Sequence, residues 1–562
     1  MKKKIKYILT IFIFSIVIML IDAHNGYIKG HDTEFHLANI TAIVDQLSWD
    51  NLTVQEPLKY VGNDLGYGTR FFYPPIPHLT AAYITKLLTI FNIDNVAIGM
   101  RITQWLTIFA SGVTFYLLGE KIFKNKKIAT LLSLFYMTAP YHLAEIFVRD
   151  AFSEMFIPIA IPLIILGLLY LIEKRYRLFF ICFVGGYTIA IYSHLAMTIY
   201  FTLILLVTFF VVYAKQIFTK KNILYLILAS VLTLLLTASF WMPMLEIKLK
   251  GSYGVFMPYF MTGKGDLRFS TISILELFAF NKKIDYNYVR YHLQLFVTIM
   301  FFISVFFIIK KKMWKEKLWI FLIVFTMLSA IMVTDVFPWY YTPDILQTLQ
   351  FPWRLVIYIS FGAIIISGIC LKQIENKKYF HALCCGLLIL TVIGTYVYTD
   401  HLDESQIDIN NINNTKSMGN QAEYLPEKAL KNREYFYNRS KDIIIQNGTG
   451  EVTKLLDDVP DLTFEVNTSE AITIELPRIY YMGYRLEING QEIELTESDN
   501  GFLQATIKQS GIYSLTYEKT TIMKIGNVLS IGTFIICIIL IIKTKRKVYL
   551  LENKDTKSSK KA

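Results

Sequence analysis

The sequence has few cysteines and lacks several motifs that mark common enzyme classes. All five cysteines lie in apolar runs, so neither a disulfide framework nor thiol chemistry is indicated. There is no phosphate-binding Walker motif, no HExxH zinc motif and no GxSxG nucleophile motif. These absences remove nucleotide hydrolysis by a P-loop, zinc proteolysis and α/β-hydrolase chemistry from consideration.

Charge is scarce inside the long apolar runs. Because an ion-coupled transporter usually carries ionisable groups near the middle of the membrane, this scarcity argues against that class. The formal net charge of +12 comes largely from short Lys and Arg clusters between apolar runs, such as 124–127 and 310–312. Such clusters follow the positive-inside rule, so the charge indicates membrane topology and not a nucleic-acid partner.

Apolar residues, in contrast, are abundant: 54% of the 562 residues are hydrophobic and 15% are aromatic. A membrane span needs roughly 20 mostly apolar residues, and about twelve runs approach or meet this length. The sequence therefore predicts an α-helical polytopic membrane protein. The predicted spans are 7–21, 96–118, 128–140, 152–172, 178–192, 196–213, 223–242, 293–309, 318–333, 355–371, 380–398 and 522–542.

The basic clusters predict the orientation of these spans. With both termini in the cytoplasm, and the first span retained as a helix, all the basic clusters between spans face the cytoplasm. This requires that the apolar stretch 77–91 does not cross, so it is predicted as an interfacial helix in a first outer loop, 22–95. A second such helix is predicted from the helical spacing of Leu37, Ile40 and Val44.

The composition changes after the transmembrane region, residues 1–398. Residues 399–521 are predicted to form an extracytoplasmic β-sandwich domain, because short segments of alternating hydrophobicity follow one another from residue 462 onward. Asn489-Gly490 separates two such segments and predicts a type I′ hairpin turn. A final transmembrane helix, 522–543, and a disordered basic cytoplasmic tail, 544–562, complete the predicted architecture.

The first outer loop contains a dense group of ionisable residues, GHDTEFH, at positions 30–36. Asp32 and His36 are four residues apart and share one face if a helix has begun there, while Glu34 lies between them. This pair is suited to a divalent cation, or Asp32 alone to accepting a proton from an acceptor hydroxyl. The alternative is that Asp32 is only a helix N-cap.

The second outer loop, 139–154, brings Glu145, Arg149, Asp150 and Glu154 to the mouth of a span. Arg149 is suited to bind a phosphate through its two-pronged guanidinium. The alternative is an ion pair of Arg149 with Glu145 or Asp150, because charges at such a place are costly unless they pair.

Two further outer segments contain candidate residues. His194 separates two apolar runs, where it serves either as a structural turn residue or as a phosphate contact. Segment 335–354 combines aromatic residues and prolines with Arg354. Its aromatic residues suit either an interfacial belt or a platform for a sugar or an isoprenoid.

The order of these motifs resembles a known superfamily. GHDTEFHLA, GYGTRFFYPPIPHL, GMRITQW and FVRDAFSE follow one another as in the polytopic glycosyltransferases of the GT-C superfamily. Within it, FYPPIPHL, YHLAEIFVRDAFSE, SHLAM, WMPMLE and LQFPWR are similar to bacterial membrane proteins labelled "6-pyruvoyl-tetrahydropterin synthase-related", from which no pterin chemistry is inferred. The stretch LPRIYYMGYRLEINGQEIEL resembles the outer β-domain of YfhO-like membrane proteins.

The resemblance implies transfer of a sugar from a polyprenyl-phosphate-linked donor to a cell-envelope polymer or glycolipid at the outer face of a bacterial membrane. The catalytic acids it implies are Asp32 and Asp150. The substrate- and phosphate-binding candidates are Arg149, His194, Arg354, Glu34, His36, Glu154 and Tyr73. Asp32, His36 and Asp150 are the candidate ligands of a divalent cation. The alternative function is a non-catalytic scaffold or a carrier-lipid translocation partner in envelope polysaccharide assembly.

Many relatives carry two adjacent acids where this chain has Asp32, Thr33 and Glu34, and many carry Lys where it has Tyr73. The resemblance therefore implies neither a strict acidic dyad nor a cationic phosphate contact at residue 73.

Overall fold

A computed structural model describes residues 2–23, 30–257, 270–278, 292–343, 349–374, 382–383, 385–393 and 422–558. Within these residues the chain is mainly helical up to residue 393 and contains all of its named strands after residue 443. The first group of helices is α1 (Lys2–Ala23), α2 (Thr33–Gln46), α3 (Thr69–Phe72), α4 (Pro75–Thr89), α5 (Val96–Phe123), α6 (Lys126–Met137), α7 (Pro140–Leu143), α8 (Ile157–Ile172), α9 (Tyr176–Ser193) and α10 (Leu195–Val207).

The second group begins with short turns and ends with the longest helix. It consists of α11 (Phe209–Val212), α12 (Ala214–Ile217), α13 (Lys220–Leu236), α14 (Ala238–Lys250), α15 (Leu295–Lys310), α16 (Lys317–Val333), α17 (Val356–Lys372), α18 (Glu427–Lys431), α19 (Arg433–Asn438) and α20 (Thr521–Ser558).

The described helices confirm a multi-pass membrane protein. Seven of them are long and apolar enough to cross a membrane, or up to nine if each of two bent pairs forms one span. Two shorter apolar helices, α15 and α16, coincide with two further predicted spans. The predicted span 380–398 lies partly outside the described residues, so the number twelve stays a prediction.

Both bent pairs have physical causes in the sequence. The axis turns by 48° between α6 and the helical stretch Pro140–Val148. Proline lacks a backbone N–H and disfavours helical geometry at the residue before it, so Pro140 ends the first segment. The axis turns by 73° between α13 and α14 at Thr237, whose side chain donates to the carbonyl of Thr233. The bend before Pro140 places the following residues, up to Arg149 and Asp150, at the candidate site.

The two helices predicted in the first outer loop are present as α2 and α4. Helix α2 buries Phe35, Leu37, Ile40 and Ile43, and it packs against α4. It is therefore enclosed by the protein over most of its length, whereas the hydrophobic spacing predicted a helix lying on the membrane with one polar face. The reason is that α4, α5 and the second loop surround it.

The C-terminal region contains two antiparallel sheets, as predicted. One has the strand order β1-β4-β8-β7 and the other β2-β3-β9-β5-β6. The strands are β1 (Ile444–Asn447), β2 (Glu451–Asp458), β3 (Asp461–Asn467), β4 (Ile472–Ile479), β5 (Tyr484–Ile488), β6 (Gln491–Ile493), β7 (Leu495–Glu497), β8 (Phe502–Ile507) and β9 (Gly511–Tyr517). Asn489 and Gly490 have φ values of 50° and 78°, which confirms the predicted hairpin between β5 and β6.

The last helix links this region to the first outer loop. The Lys519 ammonium group, just before α20, donates to Asn51 and Thr53 at 3.1 and 3.2 Å. Asn527 donates to Gln55 at 2.8 Å. Helix α20 continues to Ser558, so residues 544–558 of the tail predicted to be disordered, 544–562, are helical; this stretch contains neither Gly nor Pro to end the helix. Residues 559–562 lie outside the described residues.

Candidate functional site

The two loops predicted to face outward, 22–95 and 139–154, meet through backbone hydrogen bonds. The amide of His31 donates to the carbonyl of Val148, and the amide of Asp32 donates to that of Arg149, both at 3.0 Å. These two bonds place the start of α2 directly beside the Arg149-Asp150 dipeptide. The acidic motif of the first loop and the charged motif of the second therefore form one site, although Arg149 lies 117 positions after Asp32 in the sequence.

Asp150 joins the two loops from inside the protein. Its carboxylate accepts hydrogen bonds from Thr33 Oγ1, from the Gly30 amide at 3.3 Å and from Gln104 Nε2 at 2.6 Å. The residue is 1% exposed and has a left-handed φ of 49°. Burial raises the pKa of Asp150, whereas Arg101 and these hydrogen bonds oppose the rise. A carboxylate with both oxygens engaged in this way is suited to holding the loops together.

Arg149, Glu154 and Arg354 form a buried charge cluster. The Arg149 guanidinium donates two hydrogen bonds of 2.8 Å to the Glu154 carboxylate, and Arg354 Nε donates to Glu154 Oε1 at 2.9 Å. All three residues are at most 7% exposed. The ion pair with Glu154 raises the pKa of Arg149 despite its burial, so the guanidinium stays charged. Two cations share one anion, and the cluster carries a net positive charge.

The ion pair predicted as the alternative role of Arg149 exists, but the predicted partners were wrong. Its partner is Glu154, neither Glu145 nor Asp150. Glu145 is fully buried, and its carboxyl oxygens have no hydrogen-bond partner among the described residues. The π-helical turn Ala144–Val148 directs Arg149 and Glu145 to different neighbours, which spacing in the sequence could not indicate.

Asp32 differs from the other acids of the site. It occupies the N-cap position of α2, but its side chain forms no capping bond. Nor does the carboxylate accept a hydrogen bond from any residue that the structure describes, and the residue is half-buried. Burial raises the pKa of Asp32 to about 6; Glu154 and Asp150 raise it further, while Arg149 and Arg354 oppose the rise. An acid with this pKa and a free carboxylate is suited to accept a proton near neutral pH.

Tyr73 and His194 face the same region. The Tyr73 hydroxyl bonds to Ser153, and its ring stacks on His78 with centroids 4.5 Å apart. Burial and the nearby charges of Asp32 and Glu154 raise the pKa of this hydroxyl. His194 lies in the break between α9 and α10, where its Nδ1 accepts from the Met197 amide at 3.3 Å. Burial and Arg354 lower its pKa to about 3, so it is a neutral imidazole.

The three candidate cation ligands do not fit a metal site. His36 is buried beside His78, with Nδ1 of the first 2.8 Å from Nε2 of the second, and it also bonds to the backbone of Asp150. Burial lowers the pKa of His36 to about 3. Since Asp150 is held by three donors, only Asp32 is left to bind a cation. The described residues contain no group of three or more His, Cys, Asp or Glu side chains arranged to hold one.

Several residues that contribute to the site were not predicted from the sequence. Thr33 and Gln104 both donate hydrogen bonds to Asp150. The sequence signal for this contact was the presence of a polar residue, Gln104, inside the apolar helix α5. Tyr141 accepts from Arg149 at 3.3 Å. Burial and the charge of Asp32 raise the pKa of Glu423, in the segment before α18. Of the predicted residues, Glu34 lies half-exposed in the first turn of α2.

Comparison with known sequences gives one distant relative. An uncharacterised protein of Lactococcus lactis subsp. cremoris (strain MG1363) is 24% identical over 586 aligned positions, which cover 92% of each chain. No family model matches the sequence. Neither result tests the resemblance to the pterin synthase-related or YfhO-like proteins, which therefore stays a prediction.

Among solved structures, the apo oligosaccharyltransferase of Archaeoglobus fulgidus is similar over 77% of this chain, with 11% identity and a TM-score of 0.42. This chain spans 58% of that enzyme's length. ArnT from Cupriavidus metallidurans, solved bound to undecaprenyl phosphate, is similar over 74% of this chain and 78% of its own, with 11% identity and a TM-score of 0.40. Scores this low carry no argument about the activity of this chain.

Proposed function

We propose that this protein is a GT-C-type membrane glycosyltransferase. In this proposal it moves a sugar from a polyprenyl-phosphate-linked donor to a polymer or glycolipid of the cell envelope at the outer face of the membrane. The observation that carries the proposal is the placement of Asp32 beside the buried cluster of Arg149, Glu154 and Arg354. Among the described residues, none donates a hydrogen bond to the Asp32 carboxylate. The motif order described above supports it.

The two parts of the site suit the two halves of glycosyl transfer. Asp32 takes the proton of an acceptor hydroxyl, whose oxygen then forms a bond to the anomeric carbon. The bond between that carbon and the phosphate oxygen breaks, and the polyprenyl phosphate leaves with the electron pair. Arg149 and Arg354 stabilise the negative charge that develops on the phosphate, because the cluster has a surplus positive charge.

The position of the cluster also suits a lipid-linked donor. Glu154 begins one candidate span and Arg354 lies in the first turn of another, whereas Arg149 follows the bent pair that ends at Val148. Charges at the mouths of apolar helices can meet a phosphate at the membrane interface while the isoprenoid stays in the lipid. Tyr73 and His194 add neutral hydrogen-bonding groups at the same place.

The test compares envelope glycans in cells that express the wild-type protein or the D32N variant. We expect D32N to abolish the modification, measured by mass spectrometry of envelope glycans, with unchanged protein abundance in the membrane. The matched control is D45N, which changes an exposed acid at the other end of α2. If D32N cells retain the wild-type glycans, the protein acts instead as a non-catalytic scaffold or carrier-lipid partner.

A further inference from the structure

Two cations, one from each half of the chain, meet at Thr53 in the first loop. Arg70 donates from Nη2 to the Thr53 carbonyl at 3.0 Å and from Nε to the Val54 carbonyl at 3.1 Å. The Lys519 ammonium group donates to Thr53 Oγ1 at 3.2 Å and to Asn51 Oδ1 at 3.1 Å. Two positive charges therefore bond to atoms of a single residue, although their mutual repulsion opposes this arrangement.

The Arg70 guanidinium has a donor that the fold does not use. The residue is 4% exposed, and its Nη1 has no hydrogen-bond partner among the described residues. The other two nitrogens bond only to neutral carbonyl oxygens. Burial lowers the pKa of Arg70 to about 10, so the group is still charged at neutral pH. A buried charge is costly without a counter-charge, so an anionic acceptor is expected beside Nη1.

The acids around this pair of cations are bonded to other groups. Glu56 Oε1 accepts from Gln46 at 2.8 Å. Glu246 accepts from the Thr520 hydroxyl at 2.6 Å and pairs with Lys250 at 2.9 Å. In the part of the chain that the structure describes, no carboxylate forms an ion pair with either cation. The counter-charge therefore has to come from outside these residues.

The surroundings of the pair are those of a membrane interface. Lys519 is half-buried and lies two residues before the candidate span Thr521–Ile542. On the side of the loop, Trp49 is 93% exposed and Leu52 is 46% exposed. The Tyr83 hydroxyl donates to the Leu52 carbonyl at 2.5 Å and joins this loop to α4. Large exposed apolar residues beside a span, tryptophan above all, are typical of contact with lipid at the level of the head groups.

We propose that Arg70 and Lys519 bind the phosphate group of a membrane lipid. The phosphate accepts hydrogen bonds from Arg70 Nη1 and from the Lys519 ammonium group, which are both suited to phosphate oxygens. Basic residues close to the end of a span also attract anionic lipids. The lipid would link the first loop to α20. The site uses none of the residues of the proposed active site, so the inference does not depend on the glycosyltransferase function.

The experiment measures lipid binding to the full-length protein in detergent by native mass spectrometry, with phosphatidylglycerol as the titrated lipid. We expect K519Q to bind phosphatidylglycerol at least about tenfold more weakly than the wild type, because a hydrogen bond between charged groups is lost. R70K keeps the charge but lacks the planar set of donors, so it should also bind more weakly. If R70K does not fold, K519Q decides the matter.

The matched control is K524Q, because Lys524 lies in the first turn of α20, is exposed and pairs with Glu518 at 3.6 Å. It should bind phosphatidylglycerol as the wild type does. Equal affinity of the wild type and K519Q, or an equal loss in K524Q, overturns the inference.

Two competitors distinguish the sources of the phosphate. We expect inorganic phosphate not to displace phosphatidylglycerol, since the exposed apolar residues contribute to holding a lipid. Displacement by inorganic phosphate at similar concentration would overturn the assignment to a lipid. A polyprenyl phosphate that binds more tightly than phosphatidylglycerol, and loses this affinity in K519Q, would support the same site with the carrier lipid as its ligand.

Discussion

Asp32 and Asp150 lie in two loops that meet in the fold, and both were predicted to be catalytic acids, yet their carboxylates differ in exposure and in hydrogen bonding. Asp150 is 1% exposed, and its carboxylate is held by Thr33, Gly30 and Gln104. Asp32 is half-buried, and its carboxylate accepts no hydrogen bond from the part of the chain that the structure describes. Hydrogen bonds to the carboxylate, more than burial or charge, therefore distinguish an acid that holds loops together from one that can exchange a proton.

Glu154 is a third buried acid with yet another environment, because both of its carboxylate oxygens accept hydrogen bonds from the guanidinium groups of Arg149 and Arg354. We expect E154Q to destabilise the protein by about 3–5 kcal/mol, since it leaves Arg149 and Arg354 buried without a counter-charge. The measurement is thermal unfolding in detergent together with membrane abundance.

The control is E173Q, near the other end of the same span, where Glu173 pairs with Lys121 at the surface. Such exposed pairs contribute about 0–1 kcal/mol, so the control should unfold almost as the wild type does. Equal stability of the two variants would contradict a buried ion cluster.

Replacing Asp150 should have the next largest effect. D150A leaves the Gly30 amide, Thr33 and Gln104 without their shared acceptor, and we expect a loss of roughly 2–4 kcal/mol in the free energy of unfolding. Chemical denaturation in detergent measures it. D32A, which removes no hydrogen bond among the described residues, is the comparison, and a larger loss in D32A than in D150A would reverse the roles assigned here.

The stability of the wild-type protein should depend on the ionisation of Asp32. Its folded pKa of about 6 lies above the ordinary value, so the folded state binds the proton more tightly and wild-type stability falls as the pH rises from about 4 to 6. D32N cannot titrate. We expect its melting temperature to exceed that of the wild type above pH 6 and to match it near pH 4, with D45N as the control. A difference that does not change with pH would contradict the raised pKa.

The smallest effect is expected for Thr33, which helps to hold Asp150. T33V keeps the shape of the side chain but removes the hydroxyl that bonds to Asp150 and to the backbone of Gly30. We expect a stability loss of about 1 kcal/mol and glycan transfer close to the wild-type level. Comparison of denaturation midpoints and envelope glycans checks it, and loss of transfer without loss of stability would place Thr33 among the catalytic groups.

Much of the architecture could be predicted from local patterns. Long apolar runs predicted the helices, and Asn489-Gly490 predicted a hairpin, because backbone geometry at such positions depends on the residues themselves. The enclosure of α2 could not be predicted, since its hydrophobic spacing is compatible with a membrane surface as well as with a protein interior. From the sequence, the only reason to expect Asp32 near Arg149 was that both were predicted on the same side of the membrane. In the structure, two backbone hydrogen bonds join their segments.

The apolar runs and the alternating segments were enough to predict a multi-pass membrane protein with a β region near its C-terminus, and the positions of the charged residues indicated a cluster in two loops. The pairing of those charges became visible in the folded chain. Arg149 pairs with Glu154 and not with its neighbour Asp150, and Arg354 reaches the same Glu154 from 200 positions further along the chain. The physical reason is that apolar patterning specifies which segments are buried, whereas the partner of a buried charge depends on helix bends and loop contacts between distant segments.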